Sequence, residues 1–197
     1  GGQDLIFPHH ENELAQSEGA KGRPFARYWV HNGMVNIGQE KMSKSLGNFM
    51  TVQEAAARVG GEAVRLFVIG THYRSPLDFW PARLDEAARA LGRLYETLAR
   101  ADEALDVAGA APAEPAATVM DEFRAAMDDD LNTARAVGVI FETARAVNRL
   151  LDENRVDAVA PLRRAVAEVA SVLGVGGQQP RSVLERAKHE HLEEAAI

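Results

Sequence analysis

The chain has 197 residues, 46% of them hydrophobic and 26% charged, a balance that suits one large globular domain or two small ones. It contains no cysteine, which excludes disulfides and any thiolate ligand or nucleophile from these residues but leaves metal binding by histidine and carboxylate open. A net charge of -7 argues against a bulk electrostatic grip on nucleic acid, so any RNA contact must come from local basic patches.

In chain order, residues 1–7 read as a short buried strand with Leu5, Ile6 and Phe7 as its apolar run. Pro8 suits the first turn of a helix, where its missing N–H is not needed, and Glu11 and Glu13 lie near the positive end of that helix dipole. The helix is predicted to run to about Ser17 and to stop at Gly19, Gly22 and Pro24. Residues 28–37, rich in aromatic and β-branched side chains, read as a second strand, and Gly38 turns the chain into a Lys/Ser-rich loop. Strand, helix, strand is the grammar of a parallel sheet with ligands at its strand ends. Only one such unit is present, so the sequence reads as entering a nucleotide fold partway through.

From Thr51 the pattern is helical almost without interruption. A short helix over 52–59 is capped by Thr51 and closed by Gly60 and Gly61, and a strongly apolar one follows over 62–70. A long amphipathic helix over 84–105 carries Leu84, Ala88, Leu91, Leu94, Tyr95 and Leu98 on one stripe. Residues 108–118, low in complexity with two prolines, read as a mobile linker. Helices are predicted near 119–127, 131–152 and 159–173; the stretch 182–196 is charged, with a thin apolar face that predicts poor packing. No apolar run approaches the roughly 20 residues of a membrane span and no leader pattern is evident, so the cytosol is the expected compartment.

Two constellations can carry chemistry. His9 and Glu13 are four residues apart, so on a helix they share a face and can bind one zinc ion; the same spacing equally suits a solvated face. Lys41-Met42-Ser43-Lys44-Ser45 places two ammonium groups three residues apart with hydroxyls beside them, a set that can surround polyphosphate oxygens or sit as solvated loop.

Lys41-Met42-Ser43-Lys44-Ser45 resembles the second signature of class I aminoacyl-tRNA synthetases. The run from Asp4 through Pro8-His9-His10-Glu11-Asn12-Glu13, with His31-Asn32-Gly33-Met34-Val35, is similar to the cysteinyl-tRNA synthetase family. The likeness continues through Thr71-His72-Tyr73-Arg74-Ser75-Pro76-Leu77 to Asp128-Asp129-Asp130-Leu131-Asn132-Thr133, covering the chain to about residue 175. It implies a mostly α chain: the C-terminal remnant of a Rossmann-like α/β nucleotide-binding domain (1–50), a stem-contact helical region (51–107), the linker (108–118), an anticodon-side helical bundle (119–175) and a flexible C-terminal segment (176–197).

The resemblance also implies roles. In the family one zinc ion is held by two cysteines, a histidine and a glutamate; His9 and Glu13 match the last two, and the metal's open position would take the substrate thiolate, selecting cysteine over serine by bonding. His10 would orient the site or pack. Asp4 would contact the ATP ribose, and Met34 and Val35 would border adenine. Lys41 and Lys44, with most weight on Lys44, would stabilise charge on the departing pyrophosphate, with Ser43 and Ser45 assisting. The partners implied are tRNA(Cys), L-cysteine and ATP, without a membrane, and a monomer is expected. Arg65, Arg74 and Arg83 are candidates for tRNA backbone contact, and the Asp128–130 run is expected to cap the helix ahead of Leu131.

The family's two zinc cysteines and His-x-Gly-His signature do not occur in these residues. The sequence therefore predicts part of a longer enzyme, inactive alone and holding zinc weakly or not at all with two ligands of four. The alternatives are a mycothiol-type cysteine ligase with an amino-sugar acceptor, disfavoured by the Glu11-Asn12-Glu13 run and the Asp128–Thr133 helix start, and a non-catalytic tRNA-binding module, disfavoured by the intact lysines and His9/Glu13 pair.

Overall fold

The computed structural model describes residues 1–37, 40–41 and 50–194, with side-chain surroundings for 1–36 and 50–189. It forms two compact units, Gly1–Phe49 with Thr71–Trp80, and Met50–Gly70 with Pro81–Ile197.

The second unit is helical because its apolar residues recur every three to four positions. Helix α2, Val52–Val59, opens on the cap expected at Thr51, and the cap is a full capping box: Thr51 Oγ1 accepts from the Glu54 amide at 3.1 Å, and Glu54 Oε2 accepts from the Thr51 amide at 2.7 Å. These bonds hold the Glu54 carboxyl below its ordinary pKa, the backbone bond from Thr51 being the largest cause. Gly60, at φ 82°, separates α2 from α3, Gly61–Ile69. Helix α4 spans Pro81–Ala108 and buries Leu84, Leu91, Leu94, Tyr95, Leu98 and Ala101 along one stripe.

Helices α6 (Thr133–Asp152) and α7 (Val159–Leu173) pack against α4, and α5 (Ala117–Asp128) packs against α6 and α7. Their shared core includes Phe123, Ile140, Val166, Val169 and Leu173, and the wholly buried alanines 126, 136 and 170 let the helices approach closely. Each fully buried Leu or Ile is worth about 1.5–3 kcal/mol relative to exposure. Polar groups inside are paired: Thr97 Oγ1 donates to the Arg93 carbonyl at 3.0 Å and accepts from Asn148 Nδ2 at 2.8 Å, and Thr143 Oγ1 donates to the Val139 carbonyl at 2.7 Å. A bidentate pair, Arg163 to Asp102 at 2.7 and 3.1 Å, joins α7 to α4.

Several boundaries differ from the sequence reading. Helix α4 runs on to Ala108 and α5 begins at Ala117, so the connection is 109–116, and the Ala116 amide at its end donates to the Pro161 carbonyl at 3.0 Å. The Asp128–130 run does not cap the following helix. Asp128 ends α5, Asp130 and Leu131 both take φ 54°, and the cap is Asn132, whose Oδ1 accepts from the Arg135 amide at 3.1 Å. The tight reversal at Asp130 and Leu131 leaves Asn132 directly ahead of the first turn of α6. The stretch read as thinly packed forms α8, Pro180–Glu194, with Val183 and Leu184 against the core and most of its other described side chains exposed.

In the first unit the strand expected over 1–7 is not formed. Gln3–Leu5 is a 3₁₀ turn and Ile6–His10 a π turn, and only Gly2 pairs, through a parallel bridge to Asn32. Three apolar residues followed by Pro8, which has no ladder donor, are too few to hold an extended segment. Helix α1, Glu11–Lys21, passes through Gly19 and stops at Gly22 in the left-handed conformation at φ 60°.

The second expected strand shortens to β1, Val35–Ile37, antiparallel to β2, Glu40–Lys41, and parallel to β3, Leu77–Phe79. The parallel partner of β1 thus comes from residues 77–79, in the stretch between the helices expected over 62–70 and 84–105. Gly33 is required beside this pairing: its amide donates to the Tyr73 carbonyl at 2.7 Å, and a methyl group there would collide with the Ser75 carbonyl.

Candidate functional site

The ATP and zinc candidates that can be placed lie in the first unit. Gly2 is locked to the strand region by the bridge to Asn32, by the Gln3 amide donating to the Asn32 carbonyl at 3.1 Å, and by the Asn32 amide donating to the Gly1 carbonyl at 2.9 Å. Asp4 follows on the 3₁₀ turn and is exposed. A methyl group on Gly2 would collide with Asp4 Oδ1 and lie 3.5 Å from Met34 Sδ, so Asp4 and Met34 converge over one glycine. The Met34 carbonyl accepts from the Leu77 amide at 2.8 Å, and Val35 faces Leu77 in the parallel register.

His9 ends up exposed on the π turn and Glu13 exposed on the first turns of α1. They are donors of the types that zinc takes. Among the described residues, however, no group of three or more His, Cys, Asp or Glu is arranged to hold a metal ion. An imidazole and a carboxylate fit a zinc centre as two of its ligands and do not complete one.

His10, only loosely assigned from sequence, is half-buried and takes part in a cluster that sequence reasoning missed. Its Nδ1 lies 2.9 Å from His31 Nε2, so one ring donates and the other accepts. Trp29 lies nearly parallel to the His31 ring, with centroids 6.1 Å apart and planes 5° apart, and contacts His10 at 5.5 Å. The pKa of His31 is lowered from its ordinary value, first by partial desolvation and then by the charge of His10. The available signal was Trp29-x-His31: positions two apart on an extended segment share a face.

Lys41 lies in β2, where only its backbone is described; Ser43, Lys44 and Ser45, with the flanking Gly38 and Gly47, lie outside the described residues. The arginine candidates have different surroundings. Arg65 is exposed, with its guanidinium beside Gly174; Arg74 lies over the Tyr73 ring at 5.2 Å; Arg83 is exposed at the start of α4. No helix among the described residues is long and apolar enough to cross a membrane.

Residues 1–89 match the family described as tRNA synthetases class I (C) catalytic domain, and residues 122–177 match the DALR domain. A cysteine–tRNA ligase of Geobacter sulfurreducens (strain ATCC 51573 / DSM 12127 / PCA) is 51% identical, covering 95% of this chain and 41% of that protein. The cysteine–tRNA ligase of Geobacter metallireducens (strain ATCC 53774 / DSM 7210 / GS-15) is 47% identical over 100% of this chain and 43% of that protein. The chain therefore spans about two-fifths of the length of the curated relatives it matches. Among solved structures, a LeuRS of Agrobacterium radiobacter K84 in ternary complex with tRNA and LeuAMS matches with a TM-score of 0.66 at 16% identity, covering 91% of this chain and 26% of that one; this is a likeness of fold. Residues 1–89 thus carry a class I tRNA synthetase catalytic-domain segment and residues 122–177 a DALR domain, and the sequence likeness along the chain is to the cysteine–tRNA ligases.

Proposed function

We propose that this chain works as part of an enzyme that activates L-cysteine with ATP and transfers it to tRNA(Cys). The observation that carries this reading is the sequence likeness to cysteine–tRNA ligases along the whole chain, at 43–51% identity.

The first step joins the cysteine carboxylate to the α-phosphate of ATP and expels pyrophosphate. Asp4, exposed beside Met34, would accept hydrogen bonds from the ribose hydroxyls, as a carboxylate at a strand end does in nucleotide folds. Met34 and Val35 would border the adenine from the strand region. Lys41 and Lys44 would stabilise the negative charge that builds on the leaving pyrophosphate, with hydrogen bonds from Ser43 and Ser45. In the second step the ribose hydroxyl at the tRNA terminus takes the cysteinyl group and AMP leaves.

His9 and Glu13 would supply two ligands of a zinc ion in the whole protein. That ion would supply a soft position for the substrate thiolate, which serine cannot match. We read the enzyme as a cytoplasmic monomer, and its tRNA contacts as involving Arg65, Arg74 or Arg83.

The test is aminoacylation by the whole protein, with tRNA(Cys) and an amino-sugar acceptor offered separately. Cysteinyl-tRNA should form, and Lys44→Ala should slow ATP–pyrophosphate exchange by about 10²–10³-fold, the loss typical when a preorganised charge stabiliser is removed. Transfer of cysteine to the sugar alone would identify a mycothiol-type ligase, and absence of adenylate formation would leave a tRNA-binding module. Either result overturns the proposal.

A further inference from the structure

We propose that Glu62 is the keeper of a latch that docks helix α8 on the second unit, and that the segment from Gly174 to α8 is a strap able to open while the helical core stays folded. The proposal concerns a group of residues that the catalytic reading leaves unused.

Glu62 lies on the first turn of α3 and is half-buried. Its Oε1 accepts from the Gly176 amide at 2.6 Å and from the Tyr95 hydroxyl at 2.8 Å. Its Oε2 accepts from Gln178 Nε2 at 2.5 Å, with the same Tyr95 hydroxyl at 2.9 Å. The Tyr95 oxygen in turn accepts from the Gln178 amide at 3.2 Å. Burial and the Glu62 bond push the Tyr95 pKa far above its ordinary value, so its hydroxyl remains a donor. One carboxylate therefore gathers donors from α4 and from the chain that follows α7.

The backbone is shaped to reach it. Helix α7 ends on Gly174 at φ 66°, Val175 is buried in the core, and Gly176 at φ 79° turns the chain with its Cα close against Leu94. A methyl group at Gly176 would lie 3.1 Å from Leu94 Cδ2, tight enough to push the amide away from Glu62. Both glycines sit where an L side chain is strained.

Beyond Gly176 the hold is mostly polar. Gln178 Oε1 accepts from Arg186 Nη2 at 2.7 Å, so α8 is tied to Glu62 through Gln178. Of the described α8 side chains only Pro180 is buried; Val183 and Leu184 are partly buried, and Arg181, Ser182, Glu185, Arg186, Lys188 and His189 are exposed. A cleft of about 470 Å³ bounded by Gly61, Glu62, Arg65, Gly174, Gly177 and Gln178 lies beside the latch. It gives water a route to the carboxylate when the strap lifts. An element with a thin apolar face and a few polar ties opens at less cost than the core it rests on.

Amide hydrogen exchange of the 197-residue chain, followed residue by residue by NMR, tests this. Glu62→Gln keeps the side chain's shape but turns one acceptor oxygen into a donor. It should speed exchange at Gly176, Gln178 and along α8 by roughly tenfold or more, as expected for losing a hydrogen bond to a charged group. Amides of α5, α6 and α7 should stay within about twofold of the parent, as a local opening requires. Gln178→Ala, at an exposed position, cuts the tie to α8 without disturbing the core. It should speed exchange in α8 while leaving the Gly176 amide protected by Glu62. Exchange in α8 that neither variant alters, or acceleration that spreads equally through α5–α7, would overturn the latch. If Glu62→Gln fails to fold, Gln178→Ala decides by the same criterion.

Discussion

The two units hold themselves together by different means. The second unit buries a continuous apolar core in which Tyr95, Leu94, Leu98, Ile140 and Val166 are each no more than 1% exposed. In the first unit no residue from Gln3 to Lys21 is buried, and Phe7, Tyr28 and Val30 are more than half exposed. Its order comes from backbone: the Gly2–Asn32 bridge, the β1–β3 ladder and the close approach of Gly33 to Ser75. Side-chain volume decides stability in one unit and backbone fit decides it in the other. The candidate ATP and zinc positions among the described residues all belong to the unit with little core.

The sharpest way to break that contrast is to remove volume from the helical core. Leu94→Ala should destabilise the second unit by about 2–5 kcal/mol, the usual cost of deleting a buried leucine side chain with a cavity left behind. Urea unfolding followed by far-UV circular dichroism measures it, and a loss below about 1 kcal/mol would mean that the core re-packs freely.

In the first unit the matching lesion is the addition of one methyl group. Gly33→Ala should cost about 1–3 kcal/mol through overpacking against the Ser75 carbonyl. It should appear as faster exchange of the Gly33 and Leu77 amides, which now donate to the Tyr73 and Met34 carbonyls. Unchanged protection would show that the strand pairing tolerates a wider gap.

A smaller effect separates two ways of starting α6. Asn132→Ala should cost about 1 kcal/mol by removing the helix cap, whereas Asp129→Ala, at the C-terminal end of α5, should change stability by a few tenths at most. Equal losses from both would return the aspartate run to the capping role that its position in the sequence suggests.

These cases show what could be read in advance. Helical periodicity carried α2 through α7 almost to their ends, because burial along a stripe is a property of side-chain spacing. The cap at Thr51 was legible for the same local reason. What escaped is non-local. Residues 77–79 become a strand because β1 offers them a parallel ladder from more than forty residues earlier in the chain. Residues 1–7 turn into 3₁₀ and π turns because only Gly2 finds a partner. Asp4 and Met34 could be named from the motif, yet their convergence depends on the bare Cα of Gly2, which no periodicity reveals.

The smallest predicted effect concerns His31, where the first unit does enclose something. Its pKa is lowered from 6.5, first by desolvation and then by His10, whose ring nitrogen lies 2.9 Å away. A histidine with a depressed folded pKa binds its proton less well folded than unfolded. Any stability it contributes is therefore fully present above pH 6.5 and is lost as pH falls from there through the folded value. Titrating the ring by NMR should give a midpoint below 6.5. His10→Asn should raise that midpoint only part of the way back, because desolvation is the larger cause and the stacked Trp29 remains. A complete return to 6.5 would assign the whole shift to His10, and the first unit would then enclose no more at this point than a pair of neighbouring charges.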